Sequence, residues 1–288
     1  VHSYGRKACR FDPTLDMPLV PDAEVQSEGY TAEYLRMKKL AQSNYIYEFM
    51  RLGSEITPFN TLGHISGVHY IATHMARQLK SSGVPVDIAL VSGAAACHDI
   101  GKYGCRKSEE RRVPYLHYYY TDYCLTAHGM PVIANIAANH STWDLEFENL
   151  SAESLLLIYA DFRVKSTRDA NGAEIIRFYT LGEAFEVILG KLDNVDEAKR
   201  HRYEKVYNRL SDFEDYMKMR GVLTDMPECF ALKDGVITEL PVSGNAYRTD
   251  TPVTADRKTA PENVRSCILF VVAGAVWIVS GVFLHFFF

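Results

Sequence analysis

The sequence predicts an all-α fold of roughly seven helices, because apolar residues recur at intervals of three or four along most of the chain. Only 174–179 and 235–240 show the alternation that is typical of strands. The 288 residues are 47% hydrophobic, which is enough for one substantial core. We divide the chain into an N-terminal lead-in and helix at 1–50, a helical domain at 51–220, an irregular segment and linker at 221–265, and a hydrophobic helix at 266–288.

Charge and cysteine content argue against three classes of protein. The 31 Lys and Arg residues are outnumbered by 36 Asp and Glu residues, and the net charge of -5 argues against a generally basic nucleic-acid binder. None of the six cysteines forms a CxxC pair, so a zinc ribbon is not expected. Six cysteines in 288 residues are also too few for a disulfide scaffold. We therefore expect reduced thiols in a cytosolic domain.

The first strong helical pattern lies at 61–79, where apolar residues repeat every three or four positions and Gly83 follows the end. A second helix is predicted after Pro85, with small apolar residues that allow close packing, and Gly101 can break it. The segment 102–112 is charged and predicted to be a loop.

Further helices are predicted along the second half of the chain. They are an aromatic helix at 114–125 that ends at His128 and Gly129, a short one at 131–140, and one at 155–165 capped by Ser151. An amphipathic helix at 181–192 and a long charged helix at 193–220 follow, and Gly221 ends the latter. The apolar stripe of the long helix packs on the core or serves a homodimer.

The C-terminal segment differs in composition from the rest of the chain. Residues 267–288 carry no formal charge, and as a helix they would span about 33 Å, against roughly 30 Å of hydrocarbon. Arg257, Lys258 and Arg265 precede this segment, so the positive-inside rule places the N-terminal part in the cytoplasm. The sequence thus predicts a cytoplasmic domain attached to the inner membrane by its C-terminal helix. The alternatives are a buried core helix and an out-of-frame tail.

The candidate chemistry begins with His98 and Asp99, an adjacent nitrogen and oxygen ligand at the predicted end of the second helix. His64 lies on the helix before, whereas His69 and His74 project away from it on that same helix and cannot share its site.

Asp161 stands alone within the apolar run LLLIYADF. A buried carboxylate is costly unless it is paired or binds a metal. The alternative to a metal-ligand role is a buried salt bridge with Arg163 or Lys165.

The pattern resembles the H…HD…D signature of HD-domain metal-dependent phosphohydrolases, with His64, His98–Asp99 and Asp161 in that order. The HDIGK string at 98–102 resembles the form found in the HDIG and HD-GYP branches of that family. The resemblance covers roughly 55–170. It implies an HD-domain helical bundle that binds one or two divalent ions (Mn, Fe, Mg or Zn) through His64, His98, Asp99 and Asp161. It also implies that Asp99 bridges the two ions.

For a second ion, the resemblance implies additional histidines between the HD pair and the last Asp. His128 and His140 occupy such positions, and His117 is a rival. The GYP tripeptide and paired histidines of the HD-GYP branch are absent from the sequence, where Asn139 precedes His140. Hydrolysis of cyclic di-GMP is therefore in doubt.

Other residues near the motif suggest how a substrate is held. Lys102 follows His98 by one helical turn and is the candidate cation for the reacting phosphoryl group. We expect Arg106 and Asn139 to contact the substrate. The tyrosines at 115–123 either stack on a nucleobase or pack in the core.

These observations predict a metal-dependent phosphohydrolase, either a phosphomonoesterase or a phosphodiesterase, with Asp99 and Lys102 as catalytic residues. The expected substrate is a phosphorylated small molecule, in particular a nucleotide. Two alternatives stay open, namely a ligand-sensing or protein-docking module without catalysis and a di-iron oxygenase on the same ligands.

Overall fold

The computed structural model describes residues 19–26, 29–42, 62–105, 107–141, 149–168, 174–191, 195–226, 229–233 and 236–239. The described part is mostly helical, as the sequence predicts. Its α-helices are α1 (Asp22–Val25), α2 (Thr31–Gln42), α3 (Leu62–Ser81), α4 (Ile88–Cys97), α5 (Val113–Ala127), α6 (Pro131–Ala138), α7 (Ala152–Arg163), α8 (Leu181–Lys191) and α9 (Glu197–Met219). Two 3₁₀ helices, Ile100–Gly104 and Lys107–Arg112, lie between α4 and α5.

Helix α4 forms the centre of the core. All ten of its residues are buried, and it packs against α2, α3, α6 and α7. Its small side chains allow this, because a Cβ at Gly93 would lie only 2.7 Å from the Cδ1 of Ile133 on α6. Asp87 caps the helix by accepting a hydrogen bond from the backbone N–H of Leu90 at 3.1 Å. The C-terminal end of α4 is consequently fixed in the middle of the bundle, where His98 follows.

The helix boundaries agree with several sequence signals. Ser151 caps α7 by accepting from the N–H of Ser154 at 3.2 Å, as predicted. Gly129 and Gly221 follow α5 and α9 with φ of +75° and +79°, the left-handed conformation that favours glycine after a helix. Helix α7 ends at Arg163, two residues before the predicted end, because the chain continues directly into a strand.

A four-stranded antiparallel sheet adds to the predicted all-α fold. It consists of β1 (Val164–Arg168), β2 (Glu174–Phe178), β3 (Cys229–Lys233) and β4 (Val236–Glu239), in the order β1-β2-β3-β4. The alternating pattern at 174–179 and 235–240 indicated only β2 and β4. Strand β1 was missed because the helix predicted at 155–165 includes its first two residues, Val164 and Lys165.

The sheet packs on α3 through a close contact at Gly67. A Cβ at this position would lie 2.5 Å from the Cγ2 of Ile176 and 2.8 Å from the Cγ1 of Val164. Val164 and Ile176 are both fully buried. This contact holds the first turns of α3, which carry His64, beside the end of α7, which carries Asp161.

Within the described residues, no helix is both long and apolar enough to cross a membrane. The predicted membrane helix at 266–288 lies outside the described residues, as do the lead-in before residue 19 and the predicted linker after residue 239.

Candidate metal centre

His98 and Asp99 lie where α4 ends and the first 3₁₀ helix begins. His98 keeps helical backbone angles (φ -57°, ψ -33°), whereas Asp99 leaves them (φ -102°, ψ 5°). This change of conformation turns the two adjacent side chains toward one point, and Nε2 of His98 lies 3.8 Å from Oδ2 of Asp99. Both residues are buried, with relative exposures of 0% and 1%.

Helices α3 and α7 bring two further donor atoms to this point. Nε2 of His64 lies 2.7 Å from Oδ1 of Asp161 and 3.5 Å from Nε2 of His98. Oδ1 of Asp161 lies 3.8 Å from the same atom of His98. His64, His98 and Asp161 therefore form a three-atom group with the spacing of metal ligands, although 97 residues separate His64 from Asp161.

The second oxygen of Asp99 faces two more histidines. Oδ1 lies 3.7 Å from Nε2 of His117 on α5 and 3.8 Å from Nε2 of His140, and the two histidine nitrogens are 3.4 Å apart. Among the side-chain atoms that the structure describes, Oδ1 of Asp99 is the one buried atom without a hydrogen-bond partner. A buried carboxylate oxygen in this state is costly unless a cation compensates its charge.

The protonation of these histidines follows from their backbone contacts. A carbonyl oxygen can only accept, so each Nδ1 that contacts a carbonyl carries the hydrogen and each Nε2 presents a lone pair to the cluster. Burial lowers the pKa of His117 and of His140 to about 4, so both rings are neutral at pH 7. The contacts join His98 to Ala95 at 2.8 Å, His117 to Val113 at 2.7 Å, and His140 to Ala137 at 2.6 Å.

The arrangement fits divalent metal ions. The Nε2 atoms of His117 and His140 and Oδ1 of Asp99 are all acceptors, and they face one another with no hydrogen to share between them. Ligands bound about 2.1 Å from a tetrahedral ion are about 3.4 Å from one another, close to the spacings found here. Nitrogen and carboxylate donors without thiolate suit Mn, Fe or Zn. Within the described residues, two groups could hold an ion, His64–His98–Asp161 and His98–Asp99–His140, and they share His98.

Asp99 joins these two groups, because its two oxygens face in different directions. Oδ2 lies 3.8 Å from Nε2 of both His64 and His98, whereas Oδ1 faces His117 and His140. Burial raises the pKa of Asp99, but Lys102 and the neighbouring histidines outweigh burial and hold that pKa well below its ordinary value. The residue is therefore an anion placed to contact two cations at once.

Lys102 places a positive charge at the edge of the cluster. Its Nζ donates to Oδ2 of Asp99 at 2.5 Å, and 22% of its side chain is exposed. The one-turn spacing from His98 predicted this proximity. Because the lysine lies on the first 3₁₀ helix, its ammonium group is fixed beside the carboxylate while still being reachable from solvent.

Gly101 allows the first 3₁₀ helix to contact α5 directly. A Cβ at this position would lie 2.0 Å from the carbonyl oxygen of His117 and 2.6 Å from the backbone nitrogen of Thr121. The hydroxyl of Thr121 accepts from the N–H of Gly101 at 3.0 Å and donates to the carbonyl of His98 at 3.2 Å. The glycine and the threonine thus bring His117 against Asp99.

The predicted ligands are not all brought together. His64, His98, Asp99, His140 and Asp161 meet, and His117, the rival for the second site, joins them. His128 ends α5, eleven residues beyond His117, which is about 16 Å along a helix axis. Its Nδ1 contacts the carbonyl of Cys124 at 2.7 Å. The structure therefore places His117, and not His128, beside Asp99.

The residues that were expected to contact a substrate lie in different places. Arg106 lies outside the described residues. Asn139 caps the end of α6, where its N–H donates to the carbonyl of Asn135 at 3.2 Å, and it is half-buried one residue before His140. The tyrosines of α5 lie in two environments. The ring of Tyr118 packs 3.8 Å from that of His117, whereas Tyr115 and Tyr119 are exposed.

The remaining histidines of α3 stay apart from the cluster, as predicted. His69 is buried, and its Nε2 lies 2.8 Å from the hydroxyl of Ser92. The ring of His74 stacks on that of Tyr70. The salt bridge considered for Asp161 is not formed with Arg163, whose guanidinium donates to Tyr159, Tyr179 and Thr224.

The cluster opens to solvent on one side. The side chains of His64, Asp161 and Lys102 are 13%, 27% and 22% exposed, whereas those of His117 and His140 are 5% and 4% exposed. Solvent therefore reaches the cluster past the first three residues. The His117 side is closed by α5 and α6.

No family model matches the chain, and no curated protein or solved structure matches it either.

Proposed function

We propose that this protein is a metal-dependent phosphohydrolase that cleaves a nucleotide or another small phosphoester. The observation that carries the proposal is Asp99, whose two oxygens face separate sets of histidine lone pairs in a buried site. A carboxylate placed between two ligand sets is the arrangement that holds two ions close together, as two-metal hydrolases require. The resemblance of the H…HD…D pattern to HD-domain phosphohydrolases supports the same conclusion.

The chain would hold one ion with His64, His98 and Asp161, and the other with His117 and His140, with Asp99 between them. Bound divalent ions supply Lewis-acid stabilisation of phosphoryl oxygens and lower the pKa of water at neutral pH. The chain itself contributes buried histidines that close one side of the site to solvent. It also fixes the rings of His98, His117 and His140 through carbonyl contacts, so that these ligand atoms need not rearrange when a substrate binds.

Lys102 has a separate role in the proposal. Its ammonium group lies at the open side, within reach of both Asp99 and an incoming anion. A fixed positive charge at this position stabilises the negative charge that develops on the phosphoryl oxygens during substitution at phosphorus. Removal of that charge should lower kcat more than it raises KM.

The test uses the full 288-residue chain in mild detergent, loaded with Mn. It is incubated with a panel of mono-, di- and cyclic nucleotides, and released phosphate and shortened nucleotides are measured. We expect cleavage by the parent protein, a loss of about a thousandfold in Asp99→Asn, and near-parent activity in His128→Gln.

Two results would overturn the proposal. Cleavage that survives Asp99→Asn would come from elsewhere or from a contaminant. Bound metal in full occupancy with no phosphoester cleaved would favour the oxygenase alternative, and oxygen consumption by the iron-loaded protein would then be measured.

A further inference from the structure

Further positively charged residues, beyond the predicted Lys102, lie on the elements that adjoin α7. Lys165 is the second residue of β1, four residues after Asp161, and its Nζ donates to the carbonyl of Asp161 at 3.1 Å. The strand begins where α7 ends, so the sheet carries this lysine directly beside a metal ligand. The sequence had suggested Lys165 only as a salt-bridge partner for Asp161.

Arg177 lies directly opposite Lys165 in the sheet. The register pairs Lys165 of β1 with Arg177 of β2, which places both side chains on one face. The flanking residues Val164, Ile176 and Phe178 are buried, while Arg177 is exposed. Two like charges directly opposite each other destabilise a sheet. Such a pair beside a catalytic centre therefore points to an anion that both side chains bind.

Lys191 adds a third cation from a different element. It is the last residue of α8, which packs against both α7 and α9. Its charge and that of Lys102 act on the ammonium group of Lys165. Burial lowers the pKa of Lys165, Asp161 opposes that change, and the two lysines add to it. Lys191 is exposed and lies on a helix that packs against α7, the helix that carries Asp161.

We propose that Lys165, Arg177 and Lys191, here called the cationic rim, bind a second phosphate group of the substrate, next to the phosphoryl group that reacts at the metal centre. This inference rests on the proposed function and deepens it. It assigns the substrate to phosphoesters that carry two phosphate groups close together, such as a nucleoside diphosphate or a bisphosphate. A substrate with a single phosphate would leave the rim without a partner.

The rim is tested by binding, with probes that the enzyme does not hydrolyse. Methylenediphosphonate carries two phosphonate groups joined by carbon, and methylphosphonate carries one. The Mn-loaded full chain is dialysed free of unbound metal, and each dissociation constant is measured by titration calorimetry. We expect the parent protein to bind the diphosphonate at least tenfold more tightly, since charge-assisted contacts contribute about a factor of ten each.

The variants separate the rim from the metal centre. Arg177→Met and Lys191→Met should each weaken diphosphonate binding about tenfold and leave methylphosphonate binding unchanged, with Mn content equal to the parent's. Lys191→Arg keeps the charge and should restore binding. Lys80→Met is the matched control, because this exposed lysine lies 16 residues beyond His64 on α3, about 24 Å along the helix axis.

The outcomes distinguish this inference from the proposed function. The proposal that the cationic rim binds a second phosphate would be overturned by equal affinities for the two probes. It would also be overturned by a diphosphonate affinity that neither rim variant changes. Nucleotide cleavage together with that result would leave the phosphohydrolase standing. Conversely, diphosphonate binding that depends on Arg177 and Lys191 supports the rim even where no nucleotide is cleaved, in which case the proposed function fails alone.

Discussion

Oδ1 of Asp99 lies 3.7 Å from Nε2 of His117, and neither atom carries a hydrogen that the other could accept. The hydrogen of the neutral ring is on Nδ1, where the carbonyl of Val113 accepts it. The pair is therefore unfavourable unless a cation lies near both atoms. This relationship makes His117 the most informative residue for testing the centre.

Replacement of His117 by alanine should remove about one equivalent of bound metal, the ion between His117 and His140. The other ion should stay in place, because His64, His98 and Asp161 form a separate group. Metal content after dialysis, measured by mass spectrometry, tests this directly. His128→Ala provides the comparison, because His128 ends α5 away from the cluster, and it should keep the full metal content. Loss of metal in His128→Ala but not in His117→Ala would refute our placement of the second ion.

Replacement of Gly101 by alanine should lower the free energy of unfolding by about 3 kcal/mol, because the new Cβ meets the backbone of α5 and cannot rotate away. Urea denaturation measures the loss. Gly190→Ala on α8 is the control, because a Cβ there meets nothing within 4 Å. That change should be neutral or stabilise the helix by up to about 1 kcal/mol. Equal effects of the two substitutions would contradict the close contact at Gly101.

Metal removal should lower the melting temperature. An ion present at a hundred times its dissociation constant adds about 2.7 kcal/mol to the stability of the folded state, if the unfolded chain does not bind it. Thermal unfolding with and without added Mn, after treatment with a chelator, measures this difference. Asp99→Asn should abolish most of the Mn-dependent rise, because the amide cannot compensate the charge of two ions. A rise of the same size in this variant would exclude Asp99 as a ligand.

His69 should make the metal-free protein less stable as the pH falls. Burial lowers its pKa from 6.5 to about 3, so between these values the unfolded chain binds a proton that the folded chain does not. Stability contributed by neutral His69 is therefore present above about pH 6.5 and is lost toward pH 3, by up to about 1.4 kcal/mol per pH unit.

His69→Gln, which can still hydrogen-bond to Ser92, should reduce that slope by nearly one proton between about pH 6 and pH 5. Urea unfolding at several pH values measures it, and the exposed His201→Gln serves as the control. An unchanged slope in His69→Gln would show that His69 is protonated in the folded state.

Local spacing was sufficient to find much of the centre. Asp161 was identified because an unpaired carboxylate within an apolar helix is costly, and its order after His64 and His98–Asp99 resembles the H…HD…D signature. Gly101 was predicted only as a helix breaker. Its contact with the backbone of His117 depends on how α5 crosses the first 3₁₀ helix, and no local pattern contains that information.

The choice between His117 and His128 required the tertiary structure. Both residues lie on or at the end of one aromatic helix, and both contact a backbone carbonyl through Nδ1. Which of them meets Asp99 is decided by the turn of α5 that Gly101 and Thr121 hold against the first 3₁₀ helix.

The sequence by itself determined the helical character and the principal helix ends, because these depend on periodicity and capping. It also indicated five of the candidate ligands, namely His64, His98, Asp99, His140 and Asp161, through the resemblance to the H…HD…D signature and the cost of the lone carboxylate of Asp161 within apolar residues. Only the tertiary structure decided that His117, and not His128, joins the predicted His140 beside Asp99, and only it provides the strand register on which the proposed cationic rim rests. Strand β1 pairs with β2 through contacts between distant backbone groups, and that register alone places Arg177 opposite Lys165. Side chains that meet across elements depend on packing, which no spacing along the chain specifies.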